Sequence, residues 1–415
     1  MPSNLLDSAL DSAQRWRQGL RKTLRPRAAF QPGHRVRLLY NGTDYFPVLL
    51  QEIETARHEI FLESYLFETD DIGRRVVAAL VAASQRGVVV KVHLDGFGAK
   101  AFPALWRDEL EAAGACLLFF RPEPRHFSLN RARLRRLHRK LSVFDGQVAF
   151  VGGINILTDI EPTNPHLAPR YDYAVRIEGP AVRPIHRVVD RLWRQTAWAR
   201  LKSEWASPSP LVPSEHSVGD TVVKFLIRDN LNHRHDIEDE YRRAIRLAKR
   251  EVVIANAYFL PGYRFRQELR AAAARGVNVV ILLQGQVDHF LLHWATRAYY
   301  RRFLAAGIEI YEYTAGFMHA KVAVIDGEWA TVGSSNLDPF SLLLAREANL
   351  FVRDHGFAGA LRNDLNRKLL RCARRVETSR ISQASWLKRA VVWGCFGLVR
   401  VLMSLTGYGG RRYLE

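Results

Sequence analysis

Two short segments of the chain set an imidazole, an ammonium group and a carboxyl group at the same spacing. The first is Leu137-His-Arg-Lys-Leu-Ser-Val-Phe-Asp145 and the second is Met318-His-Ala-Lys-Val-Ala-Val-Ile-Asp326. In each, His and Lys stand two residues apart in an apolar run, and on a strand that spacing sends both side chains to one face. Each run closes on Asp-Gly (Asp145-Gly146, Asp326-Gly327), the preferred two-residue hairpin turn. A second apolar strand follows, then a loop of small residues ending in Asn: Gly152-Gly-Ile-Asn155 and Gly333-Ser-Ser-Asn336. In both copies Asp lies 7 residues after His, the first Gly 14 and the Asn 17. Brought together, His138, His319, Lys140, Lys321, Asn155 and Asn336 make a pocket of donors with few acceptors. A buried face does not carry such a set unless the groups share an anionic ligand. Displacement at a phosphate diester fits, because charge builds on the non-bridging oxygens in its transition state.

The elements that must position these groups repeat too. Ala56-Arg-His-Glu-Ile-Phe-Leu-Glu-Ser-Tyr-Leu-Phe67 precedes Gln85-Arg-Gly-Val-Val-Val-Lys-Val-His-Leu-Asp95. In the second half, Ala248-Lys-Arg-Glu-Val-Val-Ile-Ala-Asn-Ala-Tyr-Phe259 precedes Ala274-Arg-Gly-Val-Asn-Val-Val-Ile-Leu-Leu-Gln284. Each reads as strand, Ala- and Arg-rich helix, then a second strand started by Gly, which is βαβ chemistry. The expected fold is α/β: two pseudo-twofold-related domains at 35–205 and 219–376, each a mixed, largely parallel sheet flanked by helices. Residues 206–218, with the Pro/Ser-rich run Ser207–Pro213, form the linker. One motif comes from each half, so neither half is expected to work alone.

Composition narrows the class. The chain has 415 residues, 48% hydrophobic, 11% aromatic and 25% charged, enough apolar material for two or three cores and too few charges for wholesale disorder. Cys116, Cys372 and Cys395 stand too far apart for a disulfide framework or a CxxC metal site. Lys and Arg number 61 against 42 Asp and Glu, a net charge of +19. The excess is gathered: residues 1–30 carry six basic against two acidic, residues 361–415 twelve against three, and Arg121–Lys140 eight against Glu123 alone. Such segregation points to a polyanion, either nucleic acid or an anionic membrane surface.

The termini favour lipid. Leu5, Leu6, Leu10, Trp16, Leu20 and Leu24 recur at near-helical spacing among Arg15, Arg17, Arg21, Lys22 and Arg25. Residues 1–34 are therefore expected to form a basic amphipathic segment lying on anionic lipid. At the other end Trp386–Leu405 is strongly apolar. As a spanning helix it would hold Arg400 near its middle at a cost of ~2.5–3.5 kcal/mol, so 377–415 is expected to be an interfacial or re-entrant membrane segment. Packing as a core helix is the alternative. Met1 to Arg27 lacks the apolar core of a secretory signal, which leaves the body in the cytosol.

The two complete motifs, His138/Lys140/Asp145 and His319/Lys321/Asp326, resemble the duplicated His-x-Lys-x4-Asp signature of the phospholipase D superfamily. Flanking text is more particular. Gly333-Ser-Ser-Asn-Leu-Asp-Pro-Phe-Ser, Tyr258-Phe-Leu-Pro-Gly-Tyr-Arg-Phe265 and Asp172-Tyr-Ala-Val-Arg-Ile-Glu-Gly-Pro180 resemble bacterial cardiolipin synthases, most of all the B type. The likeness covers about residues 35–375. It implies phosphatidyl transfer from one phosphatidylglycerol to another, giving cardiolipin and glycerol. One His attacks phosphorus and becomes a phosphohistidine, a role that analogy gives to His138; the other is the acid and base. Lys140, Lys321, Asn155 and Asn336 hold the phosphate. A carboxylate behind each His would fix its tautomer, and Asp172 and Glu347 occupy matching places where the family pattern expects an acid. Asp145 and Asp326 belong to the catalytic signature, yet as turn residues they read as structural, bonded to their own backbone. Ser142, Ser334 and Ser335 are further candidate pocket donors.

The same resemblance admits water as acceptor, giving a hydrolase, and phosphatidylethanolamine as one substrate. A nuclease of the superfamily would suit the net charge but leave the apolar termini without use; a non-enzymatic scaffold would not keep both motifs whole. No metal or other cofactor is expected, and His233-Arg-His235-Asp236, just ahead of a helix, reads as capping. The expected partners are phosphatidylglycerol and other anionic phospholipids and a membrane surface, without nucleic acid, for a monomer at the cytoplasmic face of the bacterial cell membrane.

Overall fold

The computed structural model describes residues 28–122, 135–160, 166–229, 232–287, 289–379 and 385–405. Residues 5–27 and 123–134, which hold the amphipathic stretch and most of the central basic run, lie outside the described residues. The described residues from Gln31 onward pack as one compact unit.

The first half contributes β1 (Gln31–Tyr40), β2 (Glu59–Ser64), β3 (Val89–Asp95), β4 (Cys116–Phe120), β5 (Arg136–Leu137), β6 (Lys140–Phe144), β7 (Val148–Gly152), β8 (Ala168–Tyr171) and β9 (Tyr173–Glu178). The second contributes β10 (Thr221–Arg228), β11 (Glu251–Asn256), β12 (Asn278–Gln284), β13 (Glu309–Tyr313), β14 (Gly316–Met318), β15 (Lys321–Ile325), β16 (Trp329–Gly333), β17 (Ala345–Arg353) and β18 (Ala373–Arg375). One 16-stranded sheet runs β18-β13-β12-β11-β15-β16-β17-β10-β1-β9-β7-β6-β2-β3-β4, with β5 paired to β17 off this line. From each wing towards the centre, β4-β3-β2-β6-β7-β9-β1 matches β13-β12-β11-β15-β16-β17-β10 strand for strand. The wings meet at an antiparallel joint between β1 and β10.

The expected mixed sheet is present, but along its main line parallel pairing is limited to β2–β3–β4 and β11–β12–β13, with the short strands β5 and β14 adding parallel pairs to β17 and β8. The hairpin strands enter antiparallel, β6 against β2 and β15 against β11, so the greater part of each wing is antiparallel. The Asp-Gly turns impose the antiparallel pairing of β6 with β7 and of β15 with β16. Asp145 and Gly146 have φ of 50° and 61°, Asp326 and Gly327 55° and 67°, the positive pair that a type I′ turn requires.

The βαβ crossovers are built alike in both halves. Asp70 caps the helix Asp71–Gln85 by accepting the Gly73 N–H at 2.8 Å. That helix and Tyr263–Ala274 both end in Arg-Gly, and Gly87 and Gly276 share a φ of 87°. The preceding arginines reach back to matching carbonyls, Arg86 to Ile53 at 2.9 Å and Arg275 to Ile245 at 3.1 Å. One apolar core runs through both wings, with Val182, Ile185, Val189 and Trp193 of helix Val182–Ala199 and Phe357, Leu361 and Leu365 of helix His355–Arg371 packed into it.

The signature acids serve this frame. Asp145 accepts the N–H groups of Arg57, His58 and Glu59 at 2.8–2.9 Å, and Asp326 those of Lys249, Arg250 and Glu251 at 2.8–2.9 Å. Their partners are therefore the chain leading into the neighbouring strand, not their own turns. Each lies five strand residues beyond its lysine, roughly 16 Å away, and we propose that these two carboxylates brace the frame rather than touch the reacting phosphate. Asp145→Ala is expected to lower the unfolding free energy by about 3 kcal/mol in denaturant titration. Turnover per folded molecule should stay within a few-fold; unchanged stability with abolished turnover would restore the catalytic role.

Candidate active site

The motif histidines are held by the opposite half of the chain. Strand β5 runs parallel to β17, Leu137 beside Arg346, and the His138 N–H donates to the Arg346 carbonyl at 3.0 Å. Strand β14 runs parallel to β8, Met318 beside Tyr171, and the His319 N–H donates to the Tyr171 carbonyl at 2.8 Å. The next residue after each accepting carbonyl is a carboxylate. Glu347 Oε1 stands 3.0 Å from His138 Nδ1, and Asp172 Oδ2 stands 2.7 Å from His319 Nδ1. The two supports therefore cross between halves. With Nδ1 engaged, Nε2 is the nitrogen left for chemistry on each ring. The ring centroids are 6.4 Å apart at 62°.

The lysines alternate onto the same face as their histidines and are buried there. Lys140 Nζ donates to the His138 carbonyl at 2.6 Å, and Lys321 Nζ donates to that of His319 and lies 4.0 Å from Asp172 Oδ2. Asn155 accepts the Leu66 N–H at 3.1 Å through Oδ1, which leaves its amide hydrogens for a ligand. Asn336 is buried with Oδ1 unpartnered, a polar group of the kind a bound ligand or water satisfies. The structure thus brings together His138, His319, Lys140, Lys321, Asp172 and Glu347, with the two asparagines on the loops after β7 and β16.

The halves differ behind the carboxylates. Glu347 accepts from Ser334 Oγ at 2.5 Å and has Arg228 Nη2 3.6 Å from Oε1. At the place of Ser334 the first half has Gly153, where a Cβ would sit 2.4 Å from Asp172 Oδ1. At the place of Arg228 it has Asn41, which accepts the Asp172 N–H at 3.2 Å. The electrostatics follow. Burial alone would raise the Glu347 carboxyl, but His138, Arg228 and Lys140 hold it below the ordinary range. Burial pushes Asp172 up to about 6 despite Lys321 and the Tyr173 N–H. Burial lowers His138, with Glu347 opposing, and lowers His319 further, helped by Lys321, Lys140 and His138. Lys140 is brought down to about 7 by burial, with Lys321 adding repulsion.

Several contributors were not singled out from the sequence. Tyr65 puts its ring 4.8 Å from that of His138, and Lys140 Nζ lies 5.3 Å from the Tyr65 centroid. Its counterpart in the repeat is Ala257, a difference visible on aligning the copies. Arg139, between His138 and Lys140, faces the other way and forks onto buried Glu63 at 2.5 and 2.8 Å. The second copy has Ala320 and Ala255 at these places. Of the candidate serines, Ser334 acts on Glu347 and Ser335 presents a buried hydroxyl without a partner, while Ser142 is buried in β6. His233 pairs with Asp236 at 2.7 Å, and among the described residues no group of three or more His, Cys, Asp or Glu is placed to hold a metal ion.

Residues 49–193 and 241–369 match the PLD-like domain of cardiolipin synthase. The chain belongs to this phospholipase D-like family. Cardiolipin synthase B of Escherichia coli strain K12 is 37% identical over 386 residues, covering 92% of each chain. Cardiolipin synthase B of Salmonella typhimurium strain LT2 is 37% identical over 389 residues, again 92% of each. The crystal structure of phosphatidylserine synthase from Haemophilus influenzae Rd KW20 superposes with a TM-score of 0.68 over 95% of this chain and 99% of that one. At 12% identity it speaks for the fold alone. Both family segments supply one histidine and the carboxylate of the other. Nitrogen-15 NMR of the histidines is therefore expected to show Glu347→Gln lowering the pKa of His138, and Asp172→Asn acting chiefly on His319. Effects confined to the mutated half would refute the crossed arrangement.

Proposed function

We propose that this chain is a cardiolipin synthase that passes a phosphatidyl group between two phosphatidylglycerol molecules at the cytoplasmic face of an anionic membrane, working as a monomer. The observation that carries this reading is the pair of imidazoles 6.4 Å apart, each backed by a carboxylate from the opposite half. That separation suits a phosphorus atom with one imidazole on either side.

In the first step His138 Nε2 attacks phosphorus, the P–N bond forms, and the P–O bond to the headgroup glycerol breaks. His319 gives its proton to the departing oxygen. In the second step a headgroup hydroxyl of another phosphatidylglycerol gives its proton to His319 and attacks phosphorus. The P–N bond breaks, cardiolipin leaves, and both imidazoles return to their starting state. Lys140, Lys321, Asn155 and Asn336 would hold the non-bridging oxygens. Assignment of the nucleophile to His138 draws support from the unequal carboxylates. Glu347, kept anionic with Arg228 and Ser334 behind it, is the better support for a ring that becomes cationic on phosphorylation. His319 is held neutral at rest, and the negative charge of an arriving diester favours its protonated form.

The direct test uses labelled phosphatidylglycerol vesicles with EDTA present. The intact chain should yield cardiolipin and glycerol, and His138→Ala and His319→Ala should each cost about 10³-fold or more. Phosphatidic acid as the sole product would make the chain a hydrolase. The pH profile carries a second expectation. A lysine is charged below its pKa, so kcat/KM should fall as pH rises through about 7 and Lys140 loses its proton. Lys140→Arg should move that limb to higher pH; a limb that stays in place would clear Lys140 of the role.

A further inference from the structure

The helix Trp386–Leu405 hides an unusual side of itself. It lies on the helix Phe290–Arg297 and the chain after it. Val399 and Met403 are buried, Phe396 meets Tyr299 edge-on at 5.3 Å between centroids, and Lys388 Nζ lies 5.9 Å from the Trp294 ring. The side turned away from the protein carries Trp386, Leu387, Val391, Trp393, Leu398 and Val401, all exposed, Trp386 at 70% and Trp393 at 55%. At 100° per residue these six fall within about 160° of arc. Arg389 and Arg400 border one margin of that arc and Lys388 lies beyond the other. A helix at a protein–water boundary turns its polar face outward. This one turns an apolar face outward between cations, and no Asp or Glu occurs from 378 to 405.

The neighbouring helix adds to the patch. Val287 and Phe290 are exposed where the chain leaves β12, at the sheet end where Asn256 of β11 pairs with Lys321. The apolar patch therefore adjoins the sheet end that carries the second motif. Among the described residues no helix is long and apolar enough to cross a membrane.

We propose that the outward face of Trp386–Leu405, together with Phe290, is seated in an anionic lipid surface. Its apolar side chains enter the boundary of the acyl chains, Lys388, Arg389 and Arg400 meet lipid phosphates, and the end of the sheet bearing the motifs is held towards the bilayer. A second copy of the chain is the poorer occupant, since two such faces would set cationic margins against each other. The proposal rests on the reading of the chain as an enzyme of membrane lipids, and the test separates the two.

The full chain is mixed with vesicles of phosphatidylglycerol and phosphatidylcholine carrying brominated acyl chains, which quench tryptophan emission on insertion. Quenching is expected for the intact chain, weaker with phosphatidylcholine alone, and largely lost in Trp386→Phe/Trp393→Phe. A second variant, Leu398→Glu/Val401→Glu, should reduce vesicle partition about tenfold or more. It should still turn over dihexanoyl-phosphatidylglycerol dissolved as monomers. Unchanged quenching in the first variant or unchanged partition in the second overturns the proposal. So does a lipid-free dimer of the intact chain that the second variant dissolves. If the intact chain inserts yet turns over no phosphatidylglycerol in either form, the docking face stands and the functional reading falls.

Discussion

Two imidazole–carboxylate pairs that cross between the halves are the constraint around which the remainder of the molecule is arranged. In each pair the carboxylate is buried and the imidazole half-buried, and each is set by a backbone hydrogen bond one residue earlier, from the histidine N–H to the carbonyl ahead of the acid. The wings cannot slide against one another without breaking both at once. The shared core and the β1–β10 joint hold the same register from below, so packing and site chemistry require one geometry.

Duplication explains the frame, and divergence explains the chemistry. A perfectly symmetric pair of histidines would be two equal nucleophiles with no committed acid. Here the inequality is built in layers. Arg228 and Ser334 stand behind Glu347, Asn41 and Gly153 behind Asp172, and Tyr65 lies beside His138 only. Beneath the first motif a buried Arg139–Glu63 fork replaces the small apolar residues of the second. The desolvated fork adds nothing a hydrophobic pair could not supply in stability, but it fixes the orientation of the strand segment between His138 and Lys140.

Much of this was readable from the residues. His and Lys two apart in an apolar run, closed by Asp-Gly, specify a hairpin with both groups on one face, and the duplicated offsets announce a two-part site. The strand direction was less accessible, because βαβ text marks only two strands of each wing, and the strands around and beyond the hairpins pair antiparallel. The crossing of the carboxylates left no periodic trace. It depends on β5 and β14, two and three residues long, whose pairing partners lie some 150–200 residues distant in the chain. Tyr65, Arg139 and Arg228 show only as mismatches between the copies, and a mismatch has no meaning until the frame around it is known. The apolar text of Trp386–Leu405 was plain, but which of its sides packs on the protein is decided by the Phe290–Arg297 helix.

The glycine at 153 also bears on how this gene can change. Its two halves are long, similar in plan and joined head to tail, the arrangement in which one copy can overwrite the other during recombination. Copying the second loop into the first would install Ser at 153 and drive its Cβ into the Asp172 carboxylate. Copying the second motif would put Ala at 139 and strand Glu63 as a buried charge, a loss of about 3–5 kcal/mol. Either exchange alone would disturb the packing behind the site, so each copy's loop and motif now fit only the half in which they stand.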